Sequence, residues 1–312
     1  MKRRLPLLLA VLAWSLAAFP LWSQTPPPAD GGGAAAPPDA AKSARITYLP
    51  LAVSGTPGLL YTIGTRTVDP LRVAGGFSYQ YLGEAGKPGL VLQTVSAAVA
   101  FGFPSGGEIS VRVPYIQQTI RESVLIRAPE IVIPKGAVQG LGDIDLGLRW
   151  GIVLKQDYLP SFTVGIGGII PTGQYPEMFG SVKRYGLKFL LVAGYDFNHL
   201  PYTNYSFSVY LDGQMIFRDL FQGNDLEEKS GLIDLGFLFP LDANRYTNVL
   251  LEYNGAFRQG WTGNLDHHGI TAGFRYVNKW FGATVGYTYV IQETKGWNNF
   301  HRFGAAVSAR MP

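Results

Sequence analysis

Gly140-Leu141-Gly142-Asp143-Ile144-Asp145-Leu146-Gly147-Leu148-Arg149-Trp150-Gly151-Ile152-Val153-Leu154 is the stretch around which the chain is organised. From Ile144 onward it alternates without a break. Ile144, Leu146, Leu148, Trp150, Ile152 and Leu154 point one way, and Asp145, Gly147, Arg149 and Gly151 the other. Successive side chains on a β-strand face opposite sides of the sheet, so this strand has one large apolar face and one that is charged or bare. A soluble sheet would bury the first in a core and wet the second. An outer-membrane barrel turns the apolar face to lipid and the polar face to a lumen.

Composition favours the barrel. Only 15% of residues are charged and 13% are aromatic, against roughly 25% charged in an average soluble domain. Formal charge is +4 and falls to 4 − 3 = +1 once Lys2, Arg3 and Arg4 are removed with a leader, too little for the basic patch of a nucleic-acid binder. Met1-Lys2-Arg3-Arg4 followed by an apolar run to about Trp22 reads as a secretory signal peptide over residues 1–23. No cysteine follows it, which excludes a lipoprotein anchor, disulfides and thiolate metal sites. Residues 24–44, rich in Pro, Gly and Ala, read as a flexible periplasmic linker. Residues 45–71, interrupted by prolines and without a sustained period, are expected to plug the barrel or lead into it.

Eleven further segments repeat the alternation: Val73 to Tyr81, Leu90 to Phe101, Glu108 to Tyr115, Phe162 to Gly167, Leu187 to Phe197, Tyr205 to Asp212, Ile233 to Phe239, Asn248 to Arg258, Ile270 to Tyr276, Phe281 to Tyr289 and Arg302 to Met311. With the opening stretch they predict an all-β, transmembrane, antiparallel up-and-down barrel of twelve strands over residues 72–312, an even number as single-chain bacterial barrels have. Short connections, as at Pro104-Ser105-Gly106 and Asn278-Lys279, alternate with longer ones, as at Gln118 to Gln139 and Arg218 to Lys229. This is the asymmetry of periplasmic turns and external loops. Tyr79, Tyr81, Tyr115, Phe217, Trp261, Tyr287 and Tyr289 fall at the outer strand ends and Tyr195, Phe197, Phe239, Tyr276 and Trp280 at the inner ends, the positions of two interfacial girdles.

Gly140 to Ile144 with Leu146 to Trp150, Val111-Arg112-Val113-Pro114-Tyr115 before them and Ile169-Ile170-Pro171-Thr172-Gly173 after them resemble, in the same order, the MetA-pathway-of-phenol-degradation family of outer-membrane barrels. The resemblance covers roughly Arg72 to Gly173. It implies an outer-membrane location and passage of small, in part aromatic, molecules, and it brings no site residues. The C-terminal Arg310-Met311-Pro312 departs from the terminal aromatic residue usual in such barrels, although Met311 keeps the outward register.

Inward positions carry Glu108, Asp143, Asp145, Asp196, Asp212, Asp234 and Glu252, balanced by Arg112, Arg149, Lys188, Arg258, Arg275, Arg302 and Arg310. These are the candidate lumen-lining residues. A strongly selective pore would show rings of one sign, so two readings stand: a weakly selective polar lumen, or an ion-paired filling that holds a closed barrel together. Asp143 and Asp145 form a carboxylate pair suited to acid/base work, a cation or lumen arginines. His267 and His268, assigned to an external loop, point apart in extended backbone and cannot chelate one ion. His301 and Ser308 are the nearest approach to a lipase pair, with no partnered base. Glycine runs such as Gly165-Ile166-Gly167-Gly168 lie within a strand and serve sheet curvature rather than a phosphate.

No catalytic, cofactor-binding or metal residues are predicted. The expected partners are outer-membrane lipid and lipopolysaccharide, the barrel-assembly machinery and a small-molecule solute, with no nucleic acid. The function expected is a channel for small solutes. A filled structural or partner-binding barrel and a lipid-modifying enzyme are the alternatives.

Overall fold

The computed structural model describes residues 51–52, 54, 58–84, 89–121, 124–127, 130–133, 136–152, 160–173, 185–197, 207–218, 228–242, 245–259, 267–292 and 299–311. The expected signal peptide and linker lie outside them, as do Trp261, Val153 and Leu154 of the sequence reading.

Fifteen strands run in chain order: β1 Val73–Glu84, β2 Leu90–Gly102, β3 Gly107–Ile120, β4 Val124–Arg127, β5 Glu130–Ile133, β6 Gly136–Leu141, β7 Ile144–Ile152, β8 Ser161–Ile170, β9 Gly186–Asp196, β10 Ser208–Arg218, β11 Glu228–Pro240, β12 Thr247–Gln259, β13 His267–Val277, β14 Phe281–Gln292 and β15 Phe300–Arg310. Every neighbouring pair is antiparallel, and β1 pairs with both β2 and β15, so the sheet closes on itself. β4 and β5 form a separate small hairpin. β6 and β7 both pair with β3 and make one broken stave, so the barrel has twelve. Closure leaves no unpaired edge, which is what a sheet in lipid requires.

The break in that stave falls inside the opening stretch. Arg112 pairs with Asp145, but Tyr115 pairs with Leu141. The partners' numbers sum to 257 on one side and 256 on the other, so β6 and β7 are offset by one residue: a β-bulge. Pro114 sits on β3 at this point. It has no N–H to give to the ladder, and a proline within a sheet is tolerated at a bulge. Its carbonyl instead accepts the Gly142 N–H at 2.9 Å. A Cβ on Gly142 would come 2.7 Å from Ile116 Cδ1 and 3.0 Å from Pro114 Cγ. A larger residue there must push Ile116 Cδ1 aside and crowd the Pro114 ring.

Side chains on the wall divide as the alternation dictates. Phe189, Leu191, Ile270, Phe274 and Trp280 are exposed on the outside, while Glu108, Asp212, Glu252 and Thr271 are fully buried within. A soluble monomer rarely exposes so large a continuous apolar surface; a transmembrane barrel must. Aromatics gather at both rims. Phe197, Phe207 and Phe239 stack in series at the short-turn end, and Tyr287 and Tyr289 pack on His301 toward the other.

Candidate functional site

The lumen is occupied by the chain that precedes β1. Leu51 packs with Val68, Ala74, Ala98, Ala100 and Val277 near the short-turn end, and its N–H donates to Ser308 Oγ at 3.2 Å. Deeper in, Gly58 and Ile63 form an antiparallel bridge and the Leu59 N–H donates to the Thr62 carbonyl at 2.8 Å, so residues 58–63 are a tight hairpin tip. Below it the chain returns to the short-turn end, where the Val68 N–H donates to Glu108 Oε2 at 2.7 Å and Asp69 pairs with Arg310 at 2.5 Å. Pro70 bridges Gly102, and Leu71 turns into β1 with φ 58°.

Two carboxylates hold the tip. The N–H groups of Tyr61 and Thr62 donate to Glu252 Oε1 at 3.1 and 2.9 Å, and the Ile63 N–H donates to Asp212 Oδ2 at 2.7 Å. A carboxyl group keeps acceptor capacity whether or not it is ionised, so these bonds hold in either state. Leu59 and Leu60 are fully buried beside Leu238, Leu250 and Ala306, worth about 1.5–3 kcal/mol for each leucine relative to exposure. Arg302 lies over the Tyr61 ring at 5.1 Å. Burial raises the Tyr61 phenol above its ordinary range against the opposing charge of Arg302, so the tip carries no charge of its own at neutral pH.

Wall glycines make the room. A Cβ on Gly236 would meet Leu59 Cδ1 at 2.5 Å, on Gly286 Leu60 Cδ2 at 2.8 Å, on Gly304 the Tyr61 hydroxyl at 2.6 Å, and on Gly194 Thr65 Cγ2 at 2.9 Å. The inward glycines of β9, β11, β14 and β15 thus mark the seat of residues 59–65.

The candidate lumen residues fall into three groups. At the short-turn end Arg149 and Glu108 form a buried two-pronged pair, Nε to Oε1 at 2.9 Å and Nη2 to Oε2 at 3.0 Å. Arg149 also donates to the carbonyls of Gly64 and Arg66. Asp196 pairs with Arg245 at 3.7 Å, and Arg275 is buried on β13. At mid-depth lie Asp212, Asp234 and Glu252 with Arg302. Toward the long-loop end Asp145 accepts from both Arg112 and Lys188, and Asp143 pairs with Arg218 at 3.0 Å. The side chain of Arg258 lies outside the description.

The three stretches that carry the family resemblance meet at this last group. Gly142 bonds to Pro114; Thr172 Oγ1 donates to the Gly142 carbonyl at 2.8 Å; the Gly173 N–H donates to Asp143 Oδ1 at 3.3 Å. They build the bulge together.

The enzymatic arrangements do not assemble. Asp143 and Asp145 are committed to different cations. Ser308 faces the lumen, whereas His301, seven residues earlier on the same strand, faces outward and bonds to the Tyr287 hydroxyl. An odd separation on a strand puts two side chains on opposite sides. His267 and His268, expected in an external loop, instead begin β13. The alternation of the β13 segment extends one turn of pleat further than the sequence showed, and His268 Nδ1 lies 2.5 Å from the Tyr253 hydroxyl on the outer face. Among the described residues no group of three or more potential metal ligands occurs.

Residues 58–65 fall within the segment 45–71 expected to plug the barrel or lead into it, but the individual residues, their glycine seats and Arg218 were not singled out from the sequence. The signal available for the first was the recurrence of glycine at inward positions, which leaves a wide barrel empty unless something else fills it.

The fold and its filled polar interior define a class: closed twelve-stranded transmembrane barrels. Among solved structures the chain is similar to the COG4313 outer membrane channel from Pseudomonas putida F1, at 12% identity over 79% of this chain and 98% of that one, with a TM-score of 0.59. Weaker likenesses are the KdgM porin, 10% identical over 75% and 98% with a TM-score of 0.43, and the β-domain of the Bordetella autotransporter BrkA, 14% identical over 77% and 99% with a TM-score of 0.46. No protein-family model and no curated protein matches the chain.

Proposed function

We propose that the chain is an outer-membrane channel for passive passage of small solutes, with residues 51–71 as an internal stopper. The observation that carries this reading is the way the hairpin tip is held. It sits on hydrogen bonds to Glu252 and Asp212 in seats cleared by glycine, without a covalent tie to the wall. A barrel meant only as a scaffold has a simpler filling available, its own large side chains. The resemblance of residues 111–115, 140–150 and 169–173 to the MetA-pathway family supports small solutes with an aromatic or apolar part. In this reading the outer band meets lipid and lipopolysaccharide, and the barrel-assembly machinery inserts the chain.

The competing reading, a permanently filled barrel, draws on the buried Arg149–Glu108 pair at the base. A disulfide separates the two. A Cβ on Gly236 would stand 3.1 Å from Thr62 Cβ, a little inside the usual separation of about 3.5–4.5 Å for a disulfide, and the chain has no cysteine to interfere. In planar bilayers the parent chain is expected to conduct. The Thr62→Cys/Gly236→Cys variant is silent when oxidised and conducts again under reductant. Silence of parent and reduced variant alike would establish the filled scaffold.

A further inference from the structure

We infer that the channel is selective for organic cations that carry an apolar group, and that Glu252, Asp212 and Asp234 set this preference. The inference rests on the channel reading above and names the solute class for the same lumen.

Asp212 and Asp234 are direct cross-strand partners on β10 and β11, both inward, and Glu252 lies beside them on β12. Like charges directly opposite on a sheet repel, and the usual remedy is an ion pair. The other lumen carboxylates have one: Glu108 with Arg149, Asp145 with Arg112 and Lys188, Asp143 with Arg218. Among the described residues no lysine or arginine pairs with these three. Asp212 accepts from Gln214 and from the Ile63 N–H, Asp234 from Asn254, and Glu252 from the N–H groups of Tyr61 and Thr62. Arg302 shares this belt and attracts Asp234, but among the described residues it forms no ion pair with the three and lies over the Tyr61 ring.

The seated tip shows what the belt takes. It offers a run of N–H donors to two carboxylates and, beside them, two leucines to an apolar floor of Leu238, Leu250 and Ala306. These are two complementary surfaces at fixed separation, and the second is independent of the acidic cluster. When the tip leaves, the carboxylates lose donors that must be replaced, because an acceptor left unmet in a narrow lumen costs more than a made bond returns. An alkylammonium replaces them fully, with three N–H donors and a positive charge on one atom, and its apolar part lies where the leucines lay. An anion of the same shape brings no N–H donor to these oxygens.

The test uses the full chain in planar bilayers and in liposomes, with phenethylammonium and phenylacetate as matched probes of opposite charge. The parent is expected to favour phenethylammonium at least tenfold. Glu252→Gln acts on two properties in opposite directions. It weakens the hold on the tip, so total conductance rises, and it removes a carboxylate, so the preference falls. Asp234→Asn removes a carboxyl group that accepts from Asn254 rather than from the stopper, so it lowers the preference several-fold with a smaller rise in conductance than Glu252→Gln. Conductance that rises in Glu252→Gln with equal passage of both probes in the parent overturns the inference and leaves the channel standing. Absence of flux for either probe in parent and variants overturns both. A native-like shift in gel mobility on heating confirms that each variant has folded.

Discussion

Glu252 on β12 accepts the Thr62 N–H at 2.9 Å, a bond between residues 190 apart in sequence, formed in the middle of the lumen. It joins the preceding segment to a wall whose own strands pair almost entirely with chain neighbours. The segment therefore has little local structure to sustain it. Limited proteolysis of Glu252→Gln in detergent is expected to cleave within residues 51–71 several-fold faster than in the parent, with the barrel itself resistant. Equal rates would show that the tip is held by its leucines alone.

Arg149 and Glu108 are both nearly inaccessible and bonded at two points. Removing one partner leaves the other charge buried, at a cost of about 3–5 kcal/mol, whereas replacing both by apolar groups of similar size is often neutral. Glu108→Gln is expected to lower the denaturation midpoint in detergent far more than the double variant Glu108→Leu/Arg149→Met. The reverse order would mean that the links from Arg149 to the Gly64 and Arg66 carbonyls dominate.

Leu148 faces outward on β7. An arginine there costs about 2–4 kcal/mol near the bilayer midplane, and Leu148→Arg is expected to reduce the folded fraction in vesicles, read by gel mobility. Full tolerance of this change would reverse the assignment of inside and outside.

Gly142 and Gly213 make an internal control. A side chain at Gly142 strikes Pro114 and Ile116, while nothing lies within 4 Å of a Cβ at Gly213. Gly142→Val is expected to destabilise by about 1–3 kcal/mol through overpacking, and Gly213→Val to be neutral or slightly stabilising. Thermal unfolding of the two side by side decides it.

Asp145 keeps Arg112 and Lys188 apart in charge while bonding to both. Asp145→Asn leaves two cations facing each other. Repulsion in a partly wetted lumen is screened by salt, so the loss of stability is expected to be larger at low ionic strength than at high. A loss independent of salt would point to the hydrogen bonds rather than the charges.

The barrel was legible because each strand repeats one local rule. The alternation from Ile144 to Ile152 fixes which face is apolar, and the same rule gave the start of β7 and the inward side for Glu108, Asp212 and Glu252 without knowledge of their partners. The bulge was not legible. It depends on Pro114, 28 residues before Gly142, and on a ladder between strands that share no local pattern. Nor were the seats at Gly194, Gly236, Gly286 and Gly304, since a glycine on an inward position reads equally well as curvature or as clearance. Only the tip at Leu59 and Leu60 distinguishes them, and its register against the wall is a tertiary fact. Arg218 escaped notice because it lies beyond the end expected for its strand.

Leu51 and Val68 lie in one cluster near the short-turn end, with the hairpin tip between them in sequence and deeper in the lumen. Among the described residues, entrance and exit of the segment are thus on the same side, and residues 58–63 turn back within the lumen. In the stopper reading it leaves as a doubled loop, without parting a wall strand. In that reading a push from the long-loop side bears on the blunt tip and returns it along the path by which it entered, whereas a push from the short-turn side seats it deeper. A stopper of this form would yield in one direction only.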